Sequence, residues 1–232
     1  GSTKIETISE FVKENNVDVG FAFDGDGDRV LAVDAKGNIV DGDKIMFILA
    51  KHLKEQGELK DNMVVSTVMS NIGFYKAVEE NGLQSVKTAV GDRYVVEEMR
   101  KNDYSLGGEQ SGHIVLMNYA TTGDGILTAV KLANIIKTSG KSLEELASEV
   151  SIYPQKLVNI KVVDKKTAME DAEILAECEK VEKELEGNGR ILLRASGTEN
   201  LIRVMVEASS DELTDKYCDQ VAKIVREKFK VK

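Results

Sequence analysis

Short apolar segments alternate with helical patterns along most of this sequence, and this alternation limits the folds open to the chain. Residues 63–67 form one apolar segment, a helical pattern runs from 73 to 80, and the next extended segment covers 85–88. Strands separated by helices in this way pair in parallel, with helices on both faces of the sheet. The pattern therefore predicts an α/β domain that extends to about residue 150.

Apolar periodicity and turn residues place the other elements. The predicted helices cover residues 5–12, 45–53, 73–80, 94–101, 125–137, 142–150, 167–185 and 211–228. The predicted strands cover residues 17–23, 30–33, 39–40, 63–67, 85–88, 105–106, 113–116, 156–163, 190–195 and 201–207. The only proline, Pro154, restricts the backbone around it and is interpreted as a domain boundary. The elements beyond it predict a small α+β layer with one open face.

Composition excludes several classes of function. The chain has 232 residues and a net charge of −9, without a stripe of Lys and Arg, which argues against binding to nucleic acid. No apolar run approaches the roughly 18 to 20 residues of a membrane span, so we expect no membrane partner and a cytoplasmic location. Cys178 and Cys218 are far apart and lie in helical patterns, which predicts inert thiols rather than a disulfide or metal ligands.

Three carboxylates follow the first apolar strand at alternate positions. Asp24, Asp26 and Asp28 are separated by glycines, and we call residues 24–28 the acidic loop. Alternate side chains of an extended chain point the same way, so the three are expected to converge on a hard cation such as Mg²⁺ or Ca²⁺. An EF-hand is excluded because its sixth and twelfth positions would be Arg29 and Ala35. A solvated acidic turn is the alternative.

A second polar segment, residues 107–113, lies between two predicted strands, and we call it the central loop. Its Glu109, Ser111 and His113 offer donors and acceptors suited to the vicinal hydroxyls of a sugar. A polar hairpin with a surface histidine is the alternative. Upstream, Arg93 follows Gly91 and Asp92 at the start of a predicted helix and supplies a further cation, unless the segment is only a helix cap.

A third segment, residues 194–200, connects two predicted strands and is called the arginine loop. Arg194 is followed by two hydroxyl residues, Ser196 and Thr198, on either side of Gly197. A guanidinium group with neutral donors and an open backbone is the chemistry of a phosphate site. A plain Ser-Gly-Thr turn is the alternative.

The chain contains, in this order, the motifs Gly-Asp-Gly-Asp, Gly-Asp-Arg, Gly-Glu-Gln-Ser-Gly-His and Arg-x-Ser-Gly-Thr-Glu. This series resembles the motifs of the α-D-phosphohexomutases, and most closely those of the bacterial phosphoglucosamine mutases. The resemblance covers essentially the whole chain. It implies α/β plus α+β architecture: residues 1–40 as the end of the second of the family's four domains, 41–150 as the α/β third domain, and 151–232 as the small fourth domain. The chain then corresponds to the C-terminal part of a longer protein.

The resemblance also implies roles for the loop residues. Asp24, Asp26 and Asp28 would hold Mg²⁺, whose remaining partner in the family is a phosphoserine. Arg29 and His113 would be the catalytic groups, Arg29 beside the transferring phosphoryl group. The substrate-binding residues would be Arg93, Glu109, Ser111, His113, Arg194, Ser196, Gly197, Thr198 and Arg203. The substrate would be a phosphorylated hexosamine, interconverted between its 6-phosphate and 1-phosphate through a bisphosphate, and homodimerisation of the longer protein stays open.

Two departures from the family pattern qualify the resemblance. The family usually has proline where this chain has Ala195 and commonly again where it has Asn200, which predicts a less rigid arginine loop. No Thr-x-Ser-His-Asn-Pro motif occurs in the sequence, so we expect the chain alone to be inactive. The alternatives are a phosphomannomutase or phosphoglucomutase, a non-catalytic metal or phosphosugar-binding module, and a phosphatase of the haloacid-dehalogenase kind, which also places Asp-x-Asp after a buried strand.

Overall fold

The computed structural model describes residues 1–2 and 4–229, and the chain divides into two compact units, Gly1–Ser151 and Ile152–Lys232. Both units mix helices with strands, as the sequence predicts. Among the described residues, no helix is long and apolar enough to cross a membrane. Each unit has its own buried apolar cluster.

The first unit contains two sheets. Its strands are β1 (Val19–Phe23), β2 (Val30–Asp34), β3 (Ile39–Val40), β4 (Met63–Thr67), β5 (Gln84–Thr88), β6 (Leu106–Gly108) and β7 (Ile114–Leu116). Its helices are α1 (Glu6–Asn15), α2 (Gly42–Glu55), α3 (Ile72–Glu80), α4 (Asp92–Asn102), α5 (Gly125–Ser139) and α6 (Leu143–Ala147). The three-stranded sheet has the order β1-β2-β3 and is antiparallel, and the other sheet has the order β5-β4-β6-β7.

The four-stranded sheet has the predicted parallel pairing at its centre. Strand β4 is parallel to both β5 and β6, whereas β7 is antiparallel to β6. Successive side chains of a strand point to opposite faces, so Val64 packs in the large cluster that includes α2, and Val65 packs against α4. Helices therefore cover both faces, and the carboxyl ends of β4, β5 and β6 lie at one edge, where α/β sheets bind ligands.

The second unit is an antiparallel sheet with helices packed on one face. Its elements are β8 (Gln155–Lys161), α7 (Lys165–Met169), α8 (Ala172–Glu184), β9 (Gly189–Ala195), β10 (Leu201–Ala208) and α9 (Asp211–Phe229). The strand order is β8-β10-β9. Ile202, Val204 and Val206 alternate along β10 and share an apolar cluster with side chains of α9, whereas Arg203 lies on the opposite face.

One predicted helix is wrong. The sequence predicts a single helix over residues 167–185, but the structure has α7 and α8 with a break between them. The carboxylate of Asp171 accepts hydrogen bonds from the N–H groups of Glu173 and Ile174 and so caps a new helix. Aspartate favours this capping position over a helix interior, which explains the break.

Candidate functional site

The acidic loop connects β1 and β2, which pair as an antiparallel hairpin. Asp24 shapes this connection, because its Oδ1 accepts hydrogen bonds from the N–H groups of Gly27 (3.0 Å) and Arg29 (3.4 Å). Gly27 has φ +74°, a conformation that suits glycine. Burial raises the pKa of Asp24, but hydrogen bonding with Asp28 and with these two amides outweighs it and leaves the pKa below its ordinary value. Asp24 is therefore both a structural and a charged member of the loop.

The structure brings two of the three loop carboxylates together. Asp24 and Asp28 lie close enough to interact, and Arg29 Nη1 lies 3.9 Å from Asp24 Oδ2, whereas Asp26 is exposed on the loop between them. In the described part of the chain, no group of three or more His, Cys, Asp or Glu side chains is gathered closely enough to hold a metal ion. The predicted convergence of all three carboxylates is not present, because Asp24 is engaged with the backbone of its own loop.

The central loop packs directly on the end of the acidic loop. Arg29 and His113 form an antiparallel bridge, and the N–H of Val30 donates to the carbonyl of Gly112 (3.1 Å). Gly112 has φ +91°, and a Cβ added to it would collide with the carbonyl oxygen of Val30. Only glycine permits this backbone approach, which joins two motifs that are about 80 residues apart in sequence.

His113 lies behind the acidic loop rather than at its surface. The residue is 2% exposed, and its Nε2 lies 3.7 Å from Asp28 Oδ2. Two buried atoms of this pair, Asp28 Oδ1 and His113 Nδ1, have no hydrogen-bond partner among the described residues. Gly123 covers the imidazole so closely that a Cβ would collide with the ring, and the N–H of Gly125 donates to the carbonyl of Gly27 (3.0 Å).

The segment that supplies Gly123 and Gly125 was not among the predicted site residues. Its Gly-Asp-Gly pattern at residues 123–125 repeats the pattern of the acidic loop, and that repetition was the available signal. Asp124 accepts a hydrogen bond from the N–H of Leu127 (2.8 Å) and caps α5. The segment is thus fixed by a helix start while its glycines contact the other two loops.

The remaining predicted residues of the first unit lie at the carboxyl ends of the parallel strands. Glu109 Oε1 accepts a hydrogen bond from the N–H of Gly91 (3.0 Å), which brings the Gly-Asp-Arg segment to the central loop. Ser111 is exposed. The guanidinium of Arg93 is also exposed and donates from Nε to Glu97 on its own helix (2.7 Å). The structure thus joins Glu109 to the backbone of this segment, while the Arg93 side chain turns to α4.

In the second unit, two arginines lie side by side at the base of the arginine loop. Arg194 and Arg203 are direct cross-strand partners on β9 and β10, and the Nε atoms of both are buried without a hydrogen-bond partner among the described residues. Burial, and then the positive charge of Arg203, lower the pKa of Arg194. Two adjacent cations with unused donors form a site whose charge an anion would neutralise.

The loop between these strands is closed by its own hydrogen bonds. The N–H of Ser196 donates to the carbonyl of Leu201 (2.9 Å), and Ser196 Oγ accepts from the N–H of Glu199 (3.3 Å). Ser196 is 2% exposed, whereas Gly197 and Thr198 are exposed at the tip. The N–H groups of Gly197 and Thr198 donate to no other described residue, so they remain free for a ligand.

Comparison with known proteins assigns the family. Residues 41–153 match the family model described as phosphoglucomutase/phosphomannomutase, alpha/beta/alpha domain III, and residues 157–224 match the model of the C-terminal domain. The chain belongs to the phosphohexomutase family. It is 61% identical over 229 residues to a phosphoglucosamine mutase of Anoxybacillus flavithermus, covering 99% of this chain and 51% of that protein. It is 59% identical over 226 residues to the Bacillus subtilis phosphoglucosamine mutase, covering 97% and 50%.

This phosphohexomutase chain thus spans about half the length of the curated relatives it matches. The fold is shared with more distant members. N-acetylphosphoglucosamine mutase of Aspergillus fumigatus matches with a TM-score of 0.82 at 22% identity, over 98% of this chain and 52% of that chain. A structure of the same fungal enzyme in complex with GlcNAc-6P and magnesium matches with a TM-score of 0.76 at 22% identity, over 94% and 52%.

Proposed function

We propose that this chain carries the metal, sugar and distal-phosphate loops of a phosphoglucosamine mutase, which interconverts glucosamine 6-phosphate and glucosamine 1-phosphate by phosphoryl transfer through a bisphosphate intermediate. The observation that carries the proposal is the adjacent pair Arg194 and Arg203, whose buried Nε atoms have no hydrogen-bond partner among the described residues, beside an exposed loop with free N–H groups. Identity of about 60% to phosphoglucosamine mutases supports this choice of sugar. In this proposal, residues 1–40 end the second domain, 41–150 form the third, and 151–232 form the fourth.

The arginine loop would bind the phosphate that does not react. Arg194, with Arg203 beside it, would give a charge-assisted grip, and the free N–H groups of Gly197 and Thr198 would complete the cradle. Ser196 contributes mainly by shaping the loop, since its hydroxyl oxygen already accepts a hydrogen bond inside it. Anchoring the distal phosphate fixes the sugar ring relative to the reacting end, which is how such a contact raises the rate.

The acidic loop would hold Mg²⁺. The residue types fit a hard cation, because Asp24, Asp26 and Asp28 offer only oxygen ligands and the buried Oδ1 of Asp28 has no hydrogen-bond partner among the described residues; Asp26 would have to turn toward the other two carboxylates to complete the set. When bound, the metal would supply Lewis-acid stabilisation of the negative charge on the phosphoryl group. Arg29, adjacent to this loop and exposed, would contact the same phosphoryl oxygens. The fungal enzyme in complex with magnesium supports this assignment by family likeness.

The central loop would contact the sugar. Glu109 and Ser111 lie at the carboxyl edge of the parallel strands and would form hydrogen bonds with ring hydroxyls. Arg93 would contribute a positive charge once its hydrogen bond to Glu97 is broken. His113 is proposed to act on the reaction through Asp28, since its buried ring reaches that carboxylate and not the surface. A phosphomannomutase or phosphoglucomutase would use the same groups with a different sugar.

The sequence lacks the Thr-x-Ser-His-Asn-Pro motif that would carry the phosphoryl donor, so the chain is proposed to bind substrate without turning it over. The same feature favours the second candidate, a phosphosugar-binding module without catalytic activity. The two candidates differ in the longer protein: a mutase with the donor serine would convert glucosamine 6-phosphate, and a binding module would not.

The experiment is a titration of the ¹⁵N-labelled chain, with excess MgCl₂ present, using glucosamine 6-phosphate, inorganic phosphate and unphosphorylated glucosamine in parallel. We expect the phosphosugar and inorganic phosphate to shift the amide signal of Gly197, and unphosphorylated glucosamine to leave that signal in place. Turnover is followed in the same samples by ³¹P spectra, and none is expected. Saturable binding that leaves the Gly197 signal in place would overturn the proposal.

A further inference from the structure

Lys165 is the side chain outside the family motifs that makes the most direct contact with the arginine loop. It is the first residue of α7 and is half-buried, and its Nζ donates to the carbonyl of Ser196 (2.8 Å) and lies 3.5 Å from the carbonyl of Glu199. Helix α7 is anchored to the apolar cluster of the second unit through buried Ala168. The ammonium group is thus held in place from outside the loop.

The two carbonyls lie on opposite sides of the exposed tip. Gly197 and Thr198 separate Ser196 from Glu199, so one ammonium group ties together the two ends of the tip. The loop is tethered to the same segment a second time, because the N–H of Val162 donates to the carbonyl of Asn200 (3.0 Å). Among the described contacts, Lys165 forms no ion pair with a carboxylate, and these two carbonyl groups are its hydrogen-bond acceptors.

This contact determines where a free N–H group points. The carbonyl of Ser196 and the N–H of Gly197 belong to one planar trans peptide and point in opposite directions. Holding the carbonyl against Lys165 therefore turns the Gly197 N–H to the other side of the loop. Nothing lies within 4 Å of the position a Gly197 Cβ would occupy, so that part of the tip is open to a ligand.

We propose that Lys165 is the positioning residue of the arginine loop, which orients the Gly197 N–H for an oxyanion of the phosphate class without itself touching that anion. The inference rests on the proposed phosphate binding.

The test compares Lys165→Met with Lys166→Met in the full 232-residue chain. Lys166 is the next residue on α7 and is exposed, and among the described residues its side chain forms no hydrogen bond or ion pair, so its replacement removes the same charge from the same helix. Inorganic phosphate is titrated into each ¹⁵N-labelled variant, and affinity is read from the Gly197 and Thr198 amide signals. We expect Lys165→Met to weaken phosphate binding about five- to tenfold, as for the misalignment of one backbone N–H hydrogen bond, and Lys166→Met to change it less than about twofold.

Two further measurements separate positioning from stability and from simple charge. Amide exchange without phosphate is expected to quicken at residues 197–199 in Lys165→Met only, and Lys165→Arg, which keeps a donor to both carbonyls, is expected to recover most of the affinity. Equal phosphate affinities in the two methionine variants, with equal exchange, would overturn the inference. If Lys165→Met does not fold, the phosphate affinities of Lys165→Arg and Lys165→Gln are compared with wild type instead. Retained affinity in the arginine variant with weaker binding in the glutamine variant supports the inference, and equal affinities overturn it. Failure of the wild-type chain to bind phosphate at Gly197 would instead refute the proposed function.

Discussion

The acidic loop and the arginine loop present opposite charges, and they are built in opposite ways. The acidic loop is held by backbone from distant parts of the first unit, since Gly112 and Gly125 each contact it through a position where a side chain would collide. Its charges are partly compensated within the unit by Arg29 beside Asp24.

The arginine loop is local, and in the described part of the chain no carboxylate forms an ion pair with its two arginines. Its strands are adjacent in sequence, its tip is open around Gly197, and the arginine pair at its base has unused buried donors. The contrast shows that close backbone packing fixes the geometry of the acidic loop, whereas side-chain charge defines the arginine loop. Substitutions should therefore damage the fold at the first loop and ligand binding at the second.

The largest expected effect is on stability at Gly112. Gly112→Ala places a Cβ against the carbonyl of Val30 in a left-handed conformation, and steric overlap adds to backbone strain. We expect a loss of about 3 to 5 kcal/mol in the free energy of unfolding of the first unit. Urea denaturation followed by NMR signals assigned to each unit measures it. Gly197→Ala, which meets nothing within 4 Å, is the control and should change stability by less than about 1 kcal/mol. Similar losses for both would remove the contrast.

The next effect is on binding at Arg194. Arg194→Lys keeps the charge but loses the planar two-point grip on phosphate. A lost charge-assisted contact corresponds to about 1.5 to 3 kcal/mol, so we expect phosphate affinity of the chain to fall roughly ten- to a hundredfold. Arg226→Lys, an identical change at an exposed position of α9, is the matched control. Thermal melts of both variants accompany the titrations; a collapsed melt for Arg194→Lys would reassign the residue to structure.

A smaller effect is expected at the acidic loop. Mg²⁺ binding to the chain should be weak, because three carboxylates leave coordination positions to water and only Asp24 and Asp28 are already adjacent. Asp26→Asn removes one exposed charge and should weaken it further by about 1 kcal/mol, roughly fivefold. Calorimetry with Asp18→Asn as a control tests this, since Asp18 is also exposed and lies outside the loop. Binding that depends equally on both residues would indicate general attraction to an acidic chain.

Much of the fold could be predicted from local patterns. Residues 63–67 are uniformly buried and too short for a helix, and they form β4 with the predicted bounds. The single helix predicted over 167–185 was wrong because apolar periodicity continues across Asp171, while the backbone capping by its carboxylate interrupts the helix. Periodicity reports which face is buried, but it does not report such side-chain to backbone competition.

The candidate site was predictable as a set of motifs but not as an arrangement. The burial of His113 depends on Gly123, which is brought over the ring by the turn before α5. Lys165 gives no signal at all in the sequence, because it is one of 31 Lys and Arg residues and its contacts are with carbonyl oxygens that every residue carries. Packing of this kind follows from tertiary structure alone.

The smallest expected effect concerns the backbone freedom that the open arginine loop retains at Asn200. The N–H of Leu201 donates to the carbonyl of Glu199 (2.9 Å), which places Asn200 at the centre of a three-residue turn, and its φ is not positive. That is the inverse γ-turn, whose central φ of about −75° lies within the range of proline. In the described part of the chain the N–H of Asn200 donates no hydrogen bond, so proline would remove none. Asn200→Pro is therefore expected to stabilise the second unit by about 0.4 to 1 kcal/mol, because proline restricts the unfolded chain.

Asn200→Ala is the control, since it also removes the amide side chain but leaves the backbone unrestricted. Urea denaturation of both variants measures the free energy of unfolding of the second unit. Asn200→Pro should also lessen the dependence of phosphate binding on Lys165, because the loop would then be held from within. If Asn200→Pro instead destabilises the second unit, the arginine loop is under tighter backbone restraint than its open tip indicates, and the contrast with the acidic loop is one of charge alone.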